Sequence, residues 1–205
     1  MKICFIIFHK NSTQYPKDCI KMCLDSIRNQ TYKKFDVLEI DYGGTGKQIY
    51  EGSNFESMEM SNHATAHNYL CDKAVALGYD YIANVNIDDH YSPLRLEKQL
   101  PYMEQGYDII SSNFYNINDT GIITRQNRMN ILNIEEEANK NHNIICHPVV
   151  CYSKKFCSTC TMLDPDEIPR DDFNLWKRSY GKFKFVILPE YLAYYRIHQF
   201  KICNR

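Results

Sequence analysis

Short apolar runs alternate with segments of helical period along the first half of this chain. Ile3 to Phe8 is continuously apolar, which suits a strand buried on both faces better than an alternating edge strand. Ile20, Cys23, Leu24 and Ile27 recur at helical spacing through Lys17 to Asn29 and predict an amphipathic helix. Phe35 to Ile40 is a second strand, ended by Asp41 before the turn Tyr42-Gly43-Gly44-Thr45-Gly46. Ser61 to Leu77 reads as a helix closed by Gly78, and the apolar run opening the stretch Asp80 to Pro93, ended by Asp88 and Asp89, as the next strand. A helix over Leu94 to Met103 and a strand over Asp108 to Asn113 follow. Residues 116–143 are polar and asparagine-rich, with a helical patch over 134–140; such a long connection reads as a binding loop or lid. Beyond it, His147 to Tyr152 and Phe183 to Leu188 read as strands, Arg170 to Arg178 as a short helix, and Tyr194 to His198 as a closing polar-aromatic segment.

Strand, helix and strand in succession imply right-handed crossovers and a parallel sheet. The expectation is a single α/β domain over residues 1–205, with a mostly parallel central sheet flanked by helices. No linker divides its first part, about residues 1–113, from its second, about 114–205.

Composition narrows the class. At 205 residues, 44% hydrophobic and 24% charged, the chain has the make-up of one soluble globular domain. Its formal charge of −1 supplies no global attraction to nucleic acid or an acidic membrane surface. The apolar run after Met1 is too short for a signal peptide and no stretch is long enough to span a membrane, so a cytoplasmic protein without a transmembrane segment is expected. Nine cysteines, an odd number in a frame unlike that of small secreted proteins, read as reduced thiols; Cys157 and Cys160 form a lone C-x-x-C without a second pair to complete a zinc site.

The densest chemistry lies at Asn86-Ile87-Asp88-Asp89-His90. Two carboxylates at the end of a buried strand need a partner, and in α/β sheets that end is where ligands bind. A divalent cation carrying phosphate oxygens accounts for them; so does an N-cap on the helix after Pro93. Asp41 at the end of another strand has two similar readings, a contact to a base or ribose and a turn aspartate. Asp171-Asp172 reads as acidic residues favoured at a helix start, and His147 and Trp176 suit core positions.

Order and spacing together resemble a family 2 glycosyltransferase of the GT-A fold, from Ile3 to His198. Cys23-Leu24-Asp25-Ser26-Ile27-Arg28-Asn29-Gln30-Thr31-Tyr32 resembles that family's first-helix end, and Ala66-His67-Asn68 stands where it has Ala-Arg-Asn. Asn86-Ile87-Asp88-Asp89 is similar to its Asp-x-Asp-Asp metal motif, Asp171-Asp172-Phe173-Asn174-Leu175-Trp176-Lys177-Arg178 to Glu-Asp-x-x-Leu-Trp-x-Arg, and Tyr195-Arg196-Ile197-His198 to the closing Tyr-Arg-x-His.

The resemblance implies an inverting transfer of a sugar from a nucleoside diphosphate donor, a UDP-sugar favoured, to a hydroxyl of a carbohydrate or other acceptor. It implies Asp172 as base with Asp171 beside it, and Mn²⁺ or Mg²⁺ at Asp88 and His198. His9, Asn11, Asp41, His67, Asn68 and Asn86 would line the nucleotide side, and Trp176 and His147 the acceptor side. In place of the family's arginine, His67 would be a cation titrating near neutrality. Asn86 replaces the first aspartate of the metal motif, removing one negative charge. A nucleotidyltransferase and a non-catalytic nucleotide- or sugar-binding module are the alternatives, distinguished by pyrophosphate release and by binding without turnover.

Overall fold

The computed structural model describes residues 1–10, 12, 15, 17–129, 143 and 145–197. Asn11, His198, His142 and the patch at 134–140 lie outside the described residues.

Among the described residues nine strands form one sheet, and helices cover it on both sides. In chain order they are β1 (Ile3–His9), β2 (Asp36–Asp41), β3 (Asn54–Ser57), β4 (Tyr81–Val85), β5 (His90–Tyr91), β6 (Ile109–Ile117), β7 (Ile123–Asn127), β8 (Cys151–Ser153) and β9 (Phe185–Arg196). The helices are α1 (Lys17–Arg28), α2 (His63–Ala76), α3 (Arg95–Glu104), α4 (Lys154–Thr159) and α5 (Asp171–Ser179). Strand order across the sheet is β3-β2-β1-β4-β8-β6-β9-β5, with β7 paired to β6.

β1 shows why its run is continuously apolar. Cys4 and Ile6 face a core cluster with Leu70 and Cys71 of α2, Phe156 of α4 and Trp176 of α5. Ile3, Phe5 and Ile7 face the opposite cluster, with Cys23, Leu24 and Ile27 of α1 and Leu96 and Met103 of α3. A strand with helices on both faces has no solvated side to carry polar residues.

The sheet is mixed, where the strand–helix alternation predicted a mostly parallel one. β3, β2, β1 and β4 run parallel, as do β6 and β9. β8 is antiparallel to both β4 and β6, β7 to β6, and β5 to β9. Among the described residues regular crossover helices join the earlier strands, and after β6 the chain turns back through a hairpin.

Three local readings change with it. Residues 116–127, expected to be loop, form the β6–β7 hairpin with a register shift at Asn116/Ile117. The strand predicted from His147 begins only at Cys151, because His147–Val149 is a 3₁₀ turn. Pro148 has no N–H to donate, and β8 is hydrogen-bonded on both sides. The two C-terminal segments are one strand, β9, across Pro189. Register shifts opposite Ser112–Phe114 absorb the proline, and Asn113 Nδ2 donates to the Pro189 carbonyl at 2.8 Å. β3 was not foreseen; its polar, half-exposed sequence carries no apolar signal. Cys157 and Cys160 are free thiols.

Candidate active site

The parallel strands deliver their C-terminal ends to one region. His9 and Asp41 are register partners at the ends of β1 and β2, and Ile7 pairs with Val85, so Asn86 to Asp88 emerge beside His9. A cavity of about 400 Å³ lies here, lined among others by His9, Asn86, Asp88, His147, Asp171 and Asp172. Six of the predicted site residues, separated by up to 163 positions, thus share one wall system.

α5 is oriented by its apolar side. Leu175 and Trp176 are fully buried, and residues four apart lie on one helix face, so burying them aims Asp171 and Asp172 toward the cavity. The two carboxylates have different surroundings. Asp171 is almost buried and its Oδ2 lies 3.0 Å from His63 Nε2. Burial alone would raise its pKa, but the His63 hydrogen bond and charge outweigh that and hold it below the ordinary value. Asp172 Oδ2 accepts from Asn143 Nδ2 at 3.0 Å and Oδ1 from its helix neighbour Phe173 N at 2.7 Å. Burial pushes Asp172 up to about 6; the Asn143 donor opposes this and the charge of Asp171 adds to it. Adjacent acids driven apart in this way are the usual arrangement when one carboxylate must accept a proton near neutrality.

On the facing wall, the acidic turn after β4 is wrapped by the last strand. Arg196 donates from Nε to the Asp88 carbonyl at 2.9 Å, and its backbone N–H donates to Asp89 Oδ1 at 2.7 Å. Neither aspartate caps α3, whose N-cap residue is Leu94. Asn84 Nδ2 approaches Asn86 Oδ1 at 3.4 Å, and the Asn86 backbone N–H donates to the Tyr91 hydroxyl. His9 is buried, with Nε2 3.0 Å from Glu39 Oε1. Glu39 also accepts from Ile49 N, Tyr50 N and Ser53 Oγ, which ties the glycine turn's continuation to β2.

Four predicted site residues lie off the cavity lining. Asp41 is fully buried, and its carboxylate accepts from Gly43 N, Thr45 N, Thr45 Oγ1 and Ser57 Oγ at 2.6–3.1 Å. Burial would raise its pKa, but these hydrogen bonds prevail and hold it at about 2. It therefore organises the turn that follows β2. A Cβ at Gly43 would come within 3.2 Å of Asp41 Oδ1, which explains the glycine there. His67 is fully buried among the rings of Phe8, His147 and Tyr152. Burial, with the nearby His147, pushes it down to about 3, so it is neutral and not the expected cation. Asn68 clips Leu163, donating to its carbonyl at 2.7 Å and accepting from its N–H at 3.1 Å. Trp176 stacks on Tyr152 in the core, so it anchors α5 from behind the cavity and is no acceptor platform. His147, on the lining, is pushed down to about 4 by burial.

Sequence reading missed the supporting residues Arg196, Glu39 and Asn143, and took His63 only as a surface or supporting residue. His63 and Arg196 stood inside or beside the quoted motifs, but nothing local marked what each would touch.

The described residues offer a divalent cation the Asp88 carboxylate and the Asn86 amide on one wall. Among the described residues no three His, Cys, Asp or Glu side chains come together as a metal-binding group. Such a donor set fits a hard cation that brings most of its oxygen ligands with it, as a nucleotide diphosphate complex does.

Comparison with known proteins agrees with the geometry. The chain is 28% identical to the O-antigen biosynthesis glycosyltransferase WbnJ of Escherichia coli, covering 87% of this chain and 74% of that protein. It is 29% identical to an uncharacterized glycosyltransferase of Methanocaldococcus jannaschii, covering 89% and 67% respectively. In fold it is similar to S. aureus TarS 1-349, solved in complex with UDP-GlcNAc, with a TM-score of 0.74 at 13% identity over 98% of this chain. This chain spans 60% of that structure. No helix among the described residues is long and apolar enough to cross a membrane. Residues 4–163 match Glycosyl transferase family 2, and the chain belongs to that family.

Proposed function

We propose that this glycosyltransferase moves a sugar from a nucleoside diphosphate donor, a UDP-sugar in first place, to a hydroxyl acceptor with inversion, and that Asp172 is the base. The observation that carries this reading is the division between Asp171, paired and ionised, and Asp172, at about 6 on the cavity wall. The acceptor oxygen attacks the anomeric carbon; its proton passes to the Asp172 carboxylate as the new C–O bond forms. The bond from the anomeric carbon to the diphosphate oxygen breaks, and its electron pair leaves with the nucleoside diphosphate.

Mn²⁺ or Mg²⁺, held by Asp88 and Asn86 together with the donor, would neutralise charge on the departing diphosphate. Asp88 and Asn86 orient that end of the donor, and Arg196 keeps their turn in place. UDP-GlcNAc bound to TarS, a protein of the same fold, supports a donor of this kind.

The test incubates the purified chain with a panel of nucleotide sugars, UDP-GlcNAc first, with Mn²⁺ or Mg²⁺, and follows nucleoside diphosphate release. Release that disappears in Asp172→Asn is expected. Binding without turnover, unchanged in Asp172→Asn, would indicate a binding module. Pyrophosphate from a triphosphate donor would indicate a nucleotidyltransferase.

A further inference from the structure

α2 starts at His63 behind the N-cap Asn62, and its first turn carries no acidic residue. That position lies at the positive end of the helix dipole, where an anion brought from elsewhere is favoured. That anion comes from α5. His63 and Asp171 meet at 3.0 Å although they stand 108 positions apart. Their side chains are 19% and 9% exposed, so solvent screens the pair only partly. Both line the cavity next to Asp172, which Asn143 holds by its other side.

Two neighbouring carboxylates in a partly buried cavity do not ionise together without a counter-charge. We propose that His63 is a positioning residue for the base. Pairing with Asp171 keeps that carboxylate ionised and turned toward α2, so that Asp172 is the one left to take the proton of the acceptor hydroxyl. This proposal rests on the sugar-transfer reading above. Titratable or charged groups near the pair include His67 from α2, His147 from the 3₁₀ turn, Tyr152 from β8 and Arg170 ahead of α5, and the cavity is also lined by His9, Lys10, Tyr15, Tyr42 and Asp88. Burial keeps His67 and His147 neutral, at about 3 and about 4, and raises Tyr152 well above its ordinary value. Arg170 lies over the Phe173 ring, its guanidinium carbon 4.7 Å from the centroid. His63 is thus the side chain that meets Asp171 directly.

The test uses the whole chain labelled with ¹³C-carboxyl aspartate, without nucleotide or metal. The Asp172 signal is assigned by its loss in Asp172→Asn. His63→Gln keeps a donor but cannot carry a charge, and His63→Arg supplies a permanent cation at this half-buried helix start. In His63→Gln the titration of the Asp171–Asp172 pair should move up by about one pH unit. In His63→Arg it should return to the wild-type position. The acid limb of the kcat/KM profile should move with it, while KM for the donor stays unchanged. A folded His63→Gln protein with an unshifted carboxyl titration overturns the proposal. Should His63→Gln not fold, an upward shift in His63→Arg overturns it and a wild-type titration supports it. The carboxyl titration needs no substrate, so absent transfer would count against the sugar-transfer reading and leave His63 to be judged by the titration.

Discussion

Arg196 donates from Nε to the carbonyl oxygen of Asp88 at 2.9 Å, so the last strand of the described fold holds the acidic turn that follows β4. The same guanidinium donates from Nη1 to the carbonyls of Asn118 and Asp119, and the residue is 1% exposed. One buried arginine therefore joins the β6–β7 hairpin, β9 and the Asp88 turn.

Arg196→Lys should loosen that junction, because an ammonium cannot span the same acceptors as a planar fork. The expected loss is about 2 kcal/mol of stability, in the range for hydrogen bonds to charged groups. Urea unfolding measures it, and calorimetry should show weaker metal–nucleotide binding. Wild-type values for both would mean that the wrapping is incidental.

Asp172→Asn should lower transfer by about 10²–10⁴-fold while the chain stays folded. In the wild type, kcat/KM should rise with pH as Asp172 loses its proton around 6. The amide cannot accept that proton, so any residual activity in the variant should lack this limb. A pH–rate profile with the same limb in both proteins would assign the base to another group.

Asn86→Asp restores a carboxylate on the wall that Asp88 shares. Mn²⁺ or Mg²⁺ binding without nucleotide should tighten, and the gain should shrink once nucleotide supplies its own oxygens. Metal titrations with and without UDP, read beside a melting curve, distinguish this from a structural effect. A stable variant with unchanged metal affinity would remove Asn86 from the metal site.

Asp41→Ala leaves the backbone N–H groups of Gly43 and Thr45 and the Thr45 and Ser57 hydroxyls without their acceptor. Stability should fall by about 2–3 kcal/mol with no nucleotide present. Thermal or urea unfolding of the free chain settles it. A protein that keeps its stability and loses nucleoside affinity would return Asp41 to the base-contacting role.

Buried neutral histidines make the fold sensitive to acid. His67 titrates at about 3 and His147 at about 4 against an ordinary 6.5, so in the folded chain both stay neutral well below neutrality. Between these values the unfolded chain binds more protons, and the stability they contribute above pH 6.5 is lost as pH falls. Asp172 works the other way: raised to about 6, it favours the folded state as it takes up a proton in that range. His67→Phe should flatten the fall in stability between pH 6.5 and 4. Identical pH dependence of urea midpoints in variant and wild type would contradict the assignment.

The first half of the fold was legible in the sequence because its pattern is local. β1 is apolar throughout because helices cover both its faces, α1 and α2 show the period of one buried side, and β4 ends at Val85, just before the turn that carries Asp88 and Asp89. The family's marks at Asp88, Asp171 and Asp172 were readable for the same reason, each being a short run of side chains at fixed spacing. Hidden from it were the roles that depend on what a side chain meets. Asp41 turned its carboxylate into its own loop, His67 lost its charge to burial, and Trp176 went to the core. Pro189 looked like the end of a strand until Asn113 and a bulge accommodated it. His63 and Arg196 acquired partners 108 positions away. Periodicity along a chain reports which face is buried, whereas a protonation state or a hydrogen-bond partner depends on desolvation and on groups from distant segments, and those exist only once the chain has closed around them.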